Sequence, residues 1–598
     1  MMQRKTGKYE SPFLAEVKSG VITAFSKINQ GAVDEDLGRQ ISGLIVQPPE
    51  FRLGQAALPC HQFAKKLRLP PVKIAEALKQ ELSAQSLKWI GQIDSVNGYL
   101  NFHCRSEVLG EWLLNEIAGG GYFAKSLLAE SEQEKMIVEY SQPNTHKALH
   151  VGHLRNTVFG DAVCKVLHYA GHEIVRATYP GDMGAHIAKA LWYVQTKKGG
   201  KLPPATENRA DWLGVMYAES EACLRTAEKD DVDEFARIKI EIGKVLKELH
   251  SGKGPYYDLY LETREWSLGQ MRDVYAWLGV AFDIWYFESE CDVPSKELVL
   301  NKFKEGFFSK SEGAVGIDLS QYGLGFAMYL KSDGNGLYLT KDLELIRRKF
   351  EDPKITRSIY VVDARQKLHF QQLFKTAELM GYPQAAKSVH LSYESVTDES
   401  GEPCSSRTLK GVRLSVLRDL LEGKVKKDYL ERYRGEWTDE QINATAEAVA
   451  LGALKYGFLR VDGQTVIRFV LDEWLKLDGD TGPYLQYVHA RCCSVIEKVG
   501  RPKDLGHLTL ETEIEKELLY YLGRFNHYAA QAAREYRPSV VAAYLFDLCK
   551  LFNRFYKDCP VKTAAPDVQN TRLRIIEATA SVLRGGLGLL GIPAPERM

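Results

Sequence analysis

VEYSQPNTHKALHVGHLRN (138–156) is the stretch on which the fold turns. Upstream it completes MIVEY (136–140), a β-rich run. Downstream it opens VGHLRNTVFGDAVCKVLHYAG (151–171), whose apolar residues recur at helical spacing and which Gly171 stops. EIVRATY (173–179) reads as the next strand. Strand, helix, strand is the βαβ unit of a parallel sheet. A second unit follows about 200 residues later: SIYVV (358–362), a helix over 367–380, then SVHLSY (388–393). The alternation predicts an α/β fold on a doubly wound, Rossmann-like parallel sheet, and the gap predicts an insert that splits it.

Outward from this core the texture changes. Residues 195–280 read as a largely helical insert, with a Lys-Gly-Gly-rich loop at 197–204 and the acidic run EKDDVDE (228–234). Toward the N-terminus, PPVKIAEALKQELSAQ (70–85) reads as a helix with Pro71 in its first turn, and VNGYLNFHC (96–104) alternates like a strand after an Asn-Gly turn. That region is predicted to be a small α+β domain, bounded by Gly119–Gly121 and SEQEK (131–135). Toward the C-terminus, EWTDEQINATAEAVALGALKYGFLR (436–460), FDLCKLFNRFYKDC (546–559) and RLRIIEATASVLRGGLGLLG (572–591) predict an all-α helical bundle. The expected organisation is residues 1–125 as an appended domain, 126–435 as the Rossmann-like domain with its insert, and 436–598 as the helical domain.

Composition narrows the function classes. The 78 basic residues (Lys and Arg) balance 78 acidic ones, so no net charge announces non-specific coating of a nucleic acid, although local patches remain open to a specific RNA. Ten cysteines are scattered without a CxxC pair or a disulfide framework, which suits a reducing compartment. The start of the chain lacks the apolar core of a signal peptide, and no apolar run reaches the roughly 18 residues of a membrane span. The cytoplasm is the expected compartment.

In an open α/β sheet, ligands sit at the carboxyl ends of the strands, and helix N-termini favour phosphate. His150 and His153 flank Gly152 at such a helix start. Two imidazoles there can donate hydrogen bonds to phosphoryl oxygens as charge builds in a transition state, and Gly152 lets a flat base lie close to the backbone. A metal site is the rival, because His146, His150 and His153 have i, i+4, i+7 spacing. Pro143 and Asn144 disfavour helix before His150, however, and no HExxH glutamate is present. Surface histidines on a helix cap are the plainer alternative.

HVGH resembles the HIGH signature of class I aminoacyl-tRNA synthetases, and the longer string resembles that of the arginyl-tRNA synthetases. The likeness continues in YLTKD (338–342), YVVDARQKLHFQQL (360–373), GDTGPYLQYVHAR (479–491), LFNRFYKDCPV (551–561) and GLLGIPAPERM (588–598), and so covers most of the chain. It implies ATP, bound with Mg²⁺, as a substrate, arginine and tRNA(Arg) as the others, and no metal held by the protein. The second class signature, KMSKS, is degraded. Its counterpart EPCSSRTLKGVRL (402–414) offers Ser405, Ser406 and Arg407, with Ser406 where the family usually has a catalytic lysine. By resemblance to members that lack that lysine, Lys147 replaces it, a mobile point charge suited to phosphate. An ordinary solvated lysine is the alternative. Such enzymes generally need bound tRNA to activate the amino acid.

The same resemblance assigns the arginine pocket to Glu139, Asn144, Tyr338, Asp342 and Gln366. Asp342 pairs with the guanidinium, Tyr338 lies beside it, Glu139 and Asn144 hold the α-amino end, and Gln366 completes the pocket and neighbours the ATP site. A site of acceptors arranged for the planar, five-donor guanidinium discriminates against lysine. Tyr484, Tyr487, His489 and Arg491, then Arg554, Tyr556 and Lys557, interleave aromatic and basic residues suited to unpaired bases. The resemblance identifies that region as an anticodon-binding domain. FRLGQAALPCHQFAKKLRLPPVKIA (51–75) resembles the appended domain, where Lys65, Lys66, Arg68 and Lys73 would contact phosphates. A monomer is expected. Two alternatives stand beside this reading. A small-molecule adenylyltransferase would not need the helical domain, and a non-catalytic RNA-binding relative would not need intact His150, Gly152, His153 and Lys147.

Overall fold

A computed structural model describes residues 9–29, 33–402, 413–502 and 507–598. Its centre is a five-stranded sheet ordered 389–393, 355–363, 135–139, 173–178, 284–285, every neighbouring pair parallel. Chain direction across the sheet reverses between the central strand Lys135–Glu139 and its neighbour Ile355–Asp363. The first crossover leaves the central strand to one side, and the second unit adds strands on the other. Such a reversal opens a crevice at the carboxyl ends of the strands. The predicted units agree with these elements to within a few residues.

Helix Val151–Ala170 forms the first crossover and is buried on nearly every side. Leu154, Val158, Ala162 and Leu167 face apolar neighbours from both the sheet and the C-terminal helices, in one continuous core. Helices Asp439–Leu459, Gly482–Val499, Pro538–Asp558 and Pro566–Leu589 build the predicted bundle, but it is no satellite: its core is continuous with the one on one face of the sheet, while Ile137, Ala177 and Tyr360 belong to a separate core.

The insert contains three long helices, Arg209–Asp230, Val232–Ser251 and Pro255–Leu278. The acidic run EKDDVDE marks the corner between the first two, where the Asp231 carboxylate accepts from Glu234 N at 3.0 Å and caps the second. One element escaped the sequence reading: an antiparallel sheet of Ser309–Ser311, Ala314–Asp318 and Phe326–Leu330, whose short strands lack the length for a clear alternation.

The N-terminal domain packs helices Pro12–Ile28 and Pro71–Ser83 on a three-stranded antiparallel sheet around its own core. Its hairpin turns at Asn97 and Gly98, both left-handed, as the Asn-Gly pair predicts. Tyr520 of the bundle enters that core and donates to Gln55 O at 2.7 Å, docking the two domains. Among the described residues, no helix is long and apolar enough to cross a membrane.

Candidate active site

A cleft of about 1020 Å³ opens where the sheet reverses. The loop 140–150 that shapes it is held by an unusual amount of local bonding. Ser141 and His146 both adopt left-handed backbone, at φ 54° and 60°, which L-residues avoid. Each is fixed from outside the loop: Ser141 N donates to Asn156 Oδ1 at 2.6 Å, and His146 N to Ser267 Oγ at 3.0 Å. Asn156 also donates to Val361 O at 2.9 Å and the Tyr393 hydroxyl at 3.1 Å, tying the motif helix to two strands of the other unit.

His146 lies before the helix, fully buried, its ring nitrogens bonded to Thr145 at 3.1 Å and Thr263 at 2.8 Å. It does not share a helical face with His150 and His153, so the three-histidine metal geometry is not formed.

Those two histidines open helix Val151–Ala170 and line the cleft. Gly152 N donates to His150 Nδ1 at 3.1 Å, and His150 N donates to His153 Nδ1 at 3.2 Å. Burial pushes His150 down to about 4, and burial, then the fields of His150 and Lys147, push His153 well below the usual imidazole range. Both rings are therefore neutral at pH 7. Since each Nδ1 accepts a backbone N–H, each proton sits on Nε2. The rings, 4.1 Å apart, present two neutral N–H donors with fixed tautomers. Glycine at 152 has a steric cause, since a Cβ there would lie 2.9 Å from the His150 ring that caps it.

All five residues assigned to the amino-acid pocket line this cleft: Glu139, Asn144, Tyr338, Asp342 and Gln366. They come from the end of the central strand, the loop after it, the first turns of helix Tyr338–Lys349, and the turn Ala364–Gln366. Tyr338 stands on the rim, 74% exposed. Asn144 crosses to Gly181, where Thr145 N donates to Gly181 O at 3.1 Å and a Cβ would fall 2.2 Å from Asn144 Oδ1.

Sequence reasoning missed Glu288, in the first turn of helix Glu288–Lys304. Its carboxylate borders the cleft, near both Asn144 and Asp342. The Cβ position at Gly181 lies 3.6 Å from Glu288 Oε1, and Lys341 Nζ lies 3.3 Å from Oε2. Burial raises this carboxyl to about 7; Lys341 opposes the shift, and Asp342 and Asp182 add to it. An acidic residue within a short motif is visible in sequence, but one recruited from an unremarkable helix start is not.

Lys147 does not line the cleft. Its ammonium lies 5.2 Å from the Tyr217 ring centroid, on the insert. Ser405, Ser406 and Arg407 fall outside the described residues. Beyond them, the backbone of Arg413 bridges to that of His150.

On the helical side, the two interleaved strings meet. The Arg491 guanidinium sits 4.9 Å from the Tyr487 ring and 5.1 Å from the Tyr556 ring, and donates to the Tyr487 hydroxyl at 2.7 Å. Tyr556, Arg554 and Lys557 are exposed, while Tyr484 is half-buried and accepts from Asn553 at 2.8 Å. His489 is a correction: it is buried and donates to Pro595 O at 2.9 Å, so it cannot face RNA. Lys65, Lys66, Arg68 and Lys73 are exposed on the N-terminal domain.

Three family models match successive parts of the chain. Residues 123–469 match the family described as tRNA synthetases class I (R), catalytic domain; 485–598 match the DALR anticodon binding domain; 16–104 match the arginyl tRNA synthetase N terminal domain. The chain is 44% identical over 558 residues to the arginine–tRNA ligase of Bdellovibrio bacteriovorus, covering 93% of this chain and 94% of that one. It is 31% identical to the arginine–tRNA ligase of Clostridioides difficile, covering 94% and 97%. Its fold resembles that of the Thermus thermophilus arginyl-tRNA synthetase, with a TM-score of 0.79 at 27% identity, covering 98% and 100%.

Proposed function

This chain belongs to the class I arginyl-tRNA synthetases and charges tRNA(Arg) with arginine, and from its cleft we propose how that work is divided among its residues. ATP drives the reaction in this class. The proposed route has two steps. An arginine carboxylate oxygen attacks the α-phosphorus of ATP, bound with Mg²⁺, and the bond to the β-phosphate breaks, giving arginyl-adenylate and pyrophosphate. A hydroxyl of the terminal adenosine of tRNA then attacks the carbonyl carbon, loses its proton, and AMP leaves.

Charge builds on the non-bridging oxygens in the first step. The Nε2–H groups of His150 and His153 suit it, being fixed donors in a site where burial keeps them neutral. Gly152 leaves room for nucleotide beside them, and Gln366 lies across the reversal point. Lys147 adds mobile positive charge, and Ser406 and Arg407 stand in the stretch that resembles the second class signature.

Asp342 and Glu288 receive the guanidinium, with Tyr338 covering it from the rim. Glu139 and Asn144 receive the α-amino end. The observation that carries this assignment is the convergence of acceptors from four separate elements on one cleft beside the two histidines. Two carboxylates facing one pocket suit a planar cation better than an ammonium.

Arg491, Tyr487, Tyr556, Arg554 and Tyr484 form the surface for unpaired tRNA bases, supported by their meeting on one face. Lys65 and Lys66 contact phosphates. A monomer is the state that the resemblance implies for this reading, with the reaction assigned to the cytoplasm, as in translation. The test is ATP–pyrophosphate exchange over all amino acids, with and without tRNA(Arg). Exchange with arginine alone, dependent on tRNA, is expected; equal exchange with lysine overturns the pocket assignment.

A further inference from the structure

Helix Tyr338–Lys349 begins at the cleft and ends in the core. Tyr338 and Asp342 line the cleft, whereas Lys349, its last residue, is fully buried. Asp342 and Lys349 are seven positions apart, which places them on the same side of the helix about 10 Å apart along its axis. A buried lysine needs a compensating charge. Its partner is Glu139, at the end of the central strand, through an ion pair between Nζ and Oε2. The same ammonium stands 3.6 Å over the ring of Tyr360, the residue in register with Glu139 on the adjoining strand. The second oxygen of Glu139 accepts from Gln142 Nε2 at 3.1 Å. Glu139 is thus held at both oxygens, with a cation behind it and the cleft in front. The Lys349 ammonium also feels the Asp342 carboxylate.

We propose that Lys349 is a positioning residue for amino-acid selection. By tying Glu139 of the sheet to the helix that carries Tyr338 and Asp342, it sets the spacing between the groups that receive the two ends of arginine, a role that rests on the reading of Glu139 and Asp342 as substrate-contacting. An apolar residue would close this helix end at a lower desolvation cost, so the buried charge is not needed for packing. What the charge adds is a fixed geometry across two elements that otherwise meet only through the sheet core. Loosening it lets the two ends of the pocket drift apart, which weakens arginine binding and relaxes the choice between substrates of different length.

The test uses the full chain with saturating tRNA(Arg) and ATP–pyrophosphate exchange, varying arginine, its one-methylene-longer analogue homoarginine, and ATP. Lys349→Met is expected to raise the KM for arginine about tenfold or more, leave the KM for ATP within about twofold, and narrow the kcat/KM ratio of arginine over homoarginine. Lys349→Arg, which keeps charge and bonding, is expected to stay within about threefold of wild type and retain that ratio. Should Lys349→Met fail to fold by circular dichroism, Lys349→Gln keeps a donor to Glu139 without charge and is expected to show the same selective defect more weakly. A folded Met or Gln variant with wild-type arginine KM and substrate ratio, or with equal losses for arginine and ATP, overturns the role. Asp342→Asn is assayed beside them. If it raises the arginine KM while the Lys349 variants do not, positioning by Lys349 fails and the pocket stands; if neither moves, the pocket reading fails as well.

Discussion

His369 Nε2 donates to Asp342 Oδ2 across 2.6 Å, from a helix on the other unit of the sheet. The carboxylate proposed to meet the guanidinium is therefore held in place at the cleft before any substrate binds. Asp342→Asn keeps an oxygen for His369 and so preserves the local fold, while removing the charge. Losing one partner of a desolvated, charge-assisted pair costs on the order of 2–5 kcal/mol. The arginine KM, or kcat/KM for arginine, should suffer far more than the ATP KM. Equal effects on both would argue for a structural role.

Glu288, as a proposed acceptor of the guanidinium, should give arginine binding a pH dependence. Its carboxyl, raised to about 7 by burial and by the neighbouring Asp342 and Asp182, is protonated in the free enzyme below that pH. Only the ionised form attracts a guanidinium. The arginine KM should accordingly fall as pH rises through about 7 and level off above, while Glu288→Gln should raise the KM and flatten the curve. Steady-state exchange between about pH 5.5 and 8.5 reads this directly, since the guanidinium itself does not titrate there. A pH step that persists in Glu288→Gln assigns it to another group.

His150 and His153 should contribute no such step. Burial lowers His150 to about 4 and holds His153 well below the usual imidazole range, and the neutral form persists until pH approaches the depressed value. At saturating arginine, where the Glu288 limb is suppressed, single-turnover adenylate formation should be flat from about pH 6 to 8. His153→Ala should slow it by roughly a hundredfold through loss of one donor to the transition state. An ionisation near 6.5 that vanishes in the histidine variants would show that an imidazolium is required instead.

The parts of this molecule legible in sequence are those with local causes. The strands flanking the HVGH turn read correctly because their β-rich runs are bounded by helix starts and by Gly171. The residues at the carboxyl ends of those strands read as a site because topology places ligands there. Glu288, His369 and Lys349 were illegible for the opposite reason. Glu288 and His369 reach the pocket from stretches whose local pattern is ordinary, Lys349 stands behind it two turns beyond the YLTKD string, and only packing brings them to Asn144, Asp342 or Glu139. The bundle's helices were plain from their periodicity, but nothing local says that helix Val151–Ala170 lies inside their core. His489 misled because it alternates with aromatics at the surface spacing while its ring turns inward to Pro595.

The shared core decides how the RNA-binding role is tested. Removing residues beyond about 435 would strip helices from the motif helix itself and expose the core, so loss of charging would say nothing about RNA. Point changes on the exposed cluster avoid this. Stacking on an aromatic ring is worth about 1–3 kcal/mol per base. Tyr556→Ala should raise the tRNA KM roughly tenfold, and Arg491→Ala similarly, because Arg491 holds both rings in place. At saturating tRNA the arginine and ATP constants should be unchanged. Unaltered charging kinetics in both variants would remove this surface from the tRNA contact.

Lys147 poses the sharpest question about the chemistry. Its ammonium rests over Tyr217 of the insert, outside the cleft, yet its field already reaches His153. The loop it rides on is pressed against the insert: a Cβ at Gly214, one turn before Tyr217, would fall 2.6 Å from Ala148 N. The loop backbone is therefore held, and a long side chain is what can move. Negative charge at the α-phosphate rises during activation, and with Ser406 in place of the usual loop lysine a mobile cation is wanted there. Lys147→Ala should cut single-turnover adenylate formation by roughly a hundredfold, at ~1.4 kcal/mol per tenfold, with the arginine KM little changed. Tyr217→Leu separates resting place from working place. If the ammonium leaves the ring to act, losing a cation–π contact of about 0.5–2 kcal/mol lowers the cost of leaving, and the rate should hold or rise. If Tyr217→Leu is as slow as Lys147→Ala, the lysine works from where it rests. A Lys147→Ala enzyme, folded by circular dichroism, that activates arginine at the wild-type rate would place the charge elsewhere, with Arg407 and Lys410 the next residues to replace.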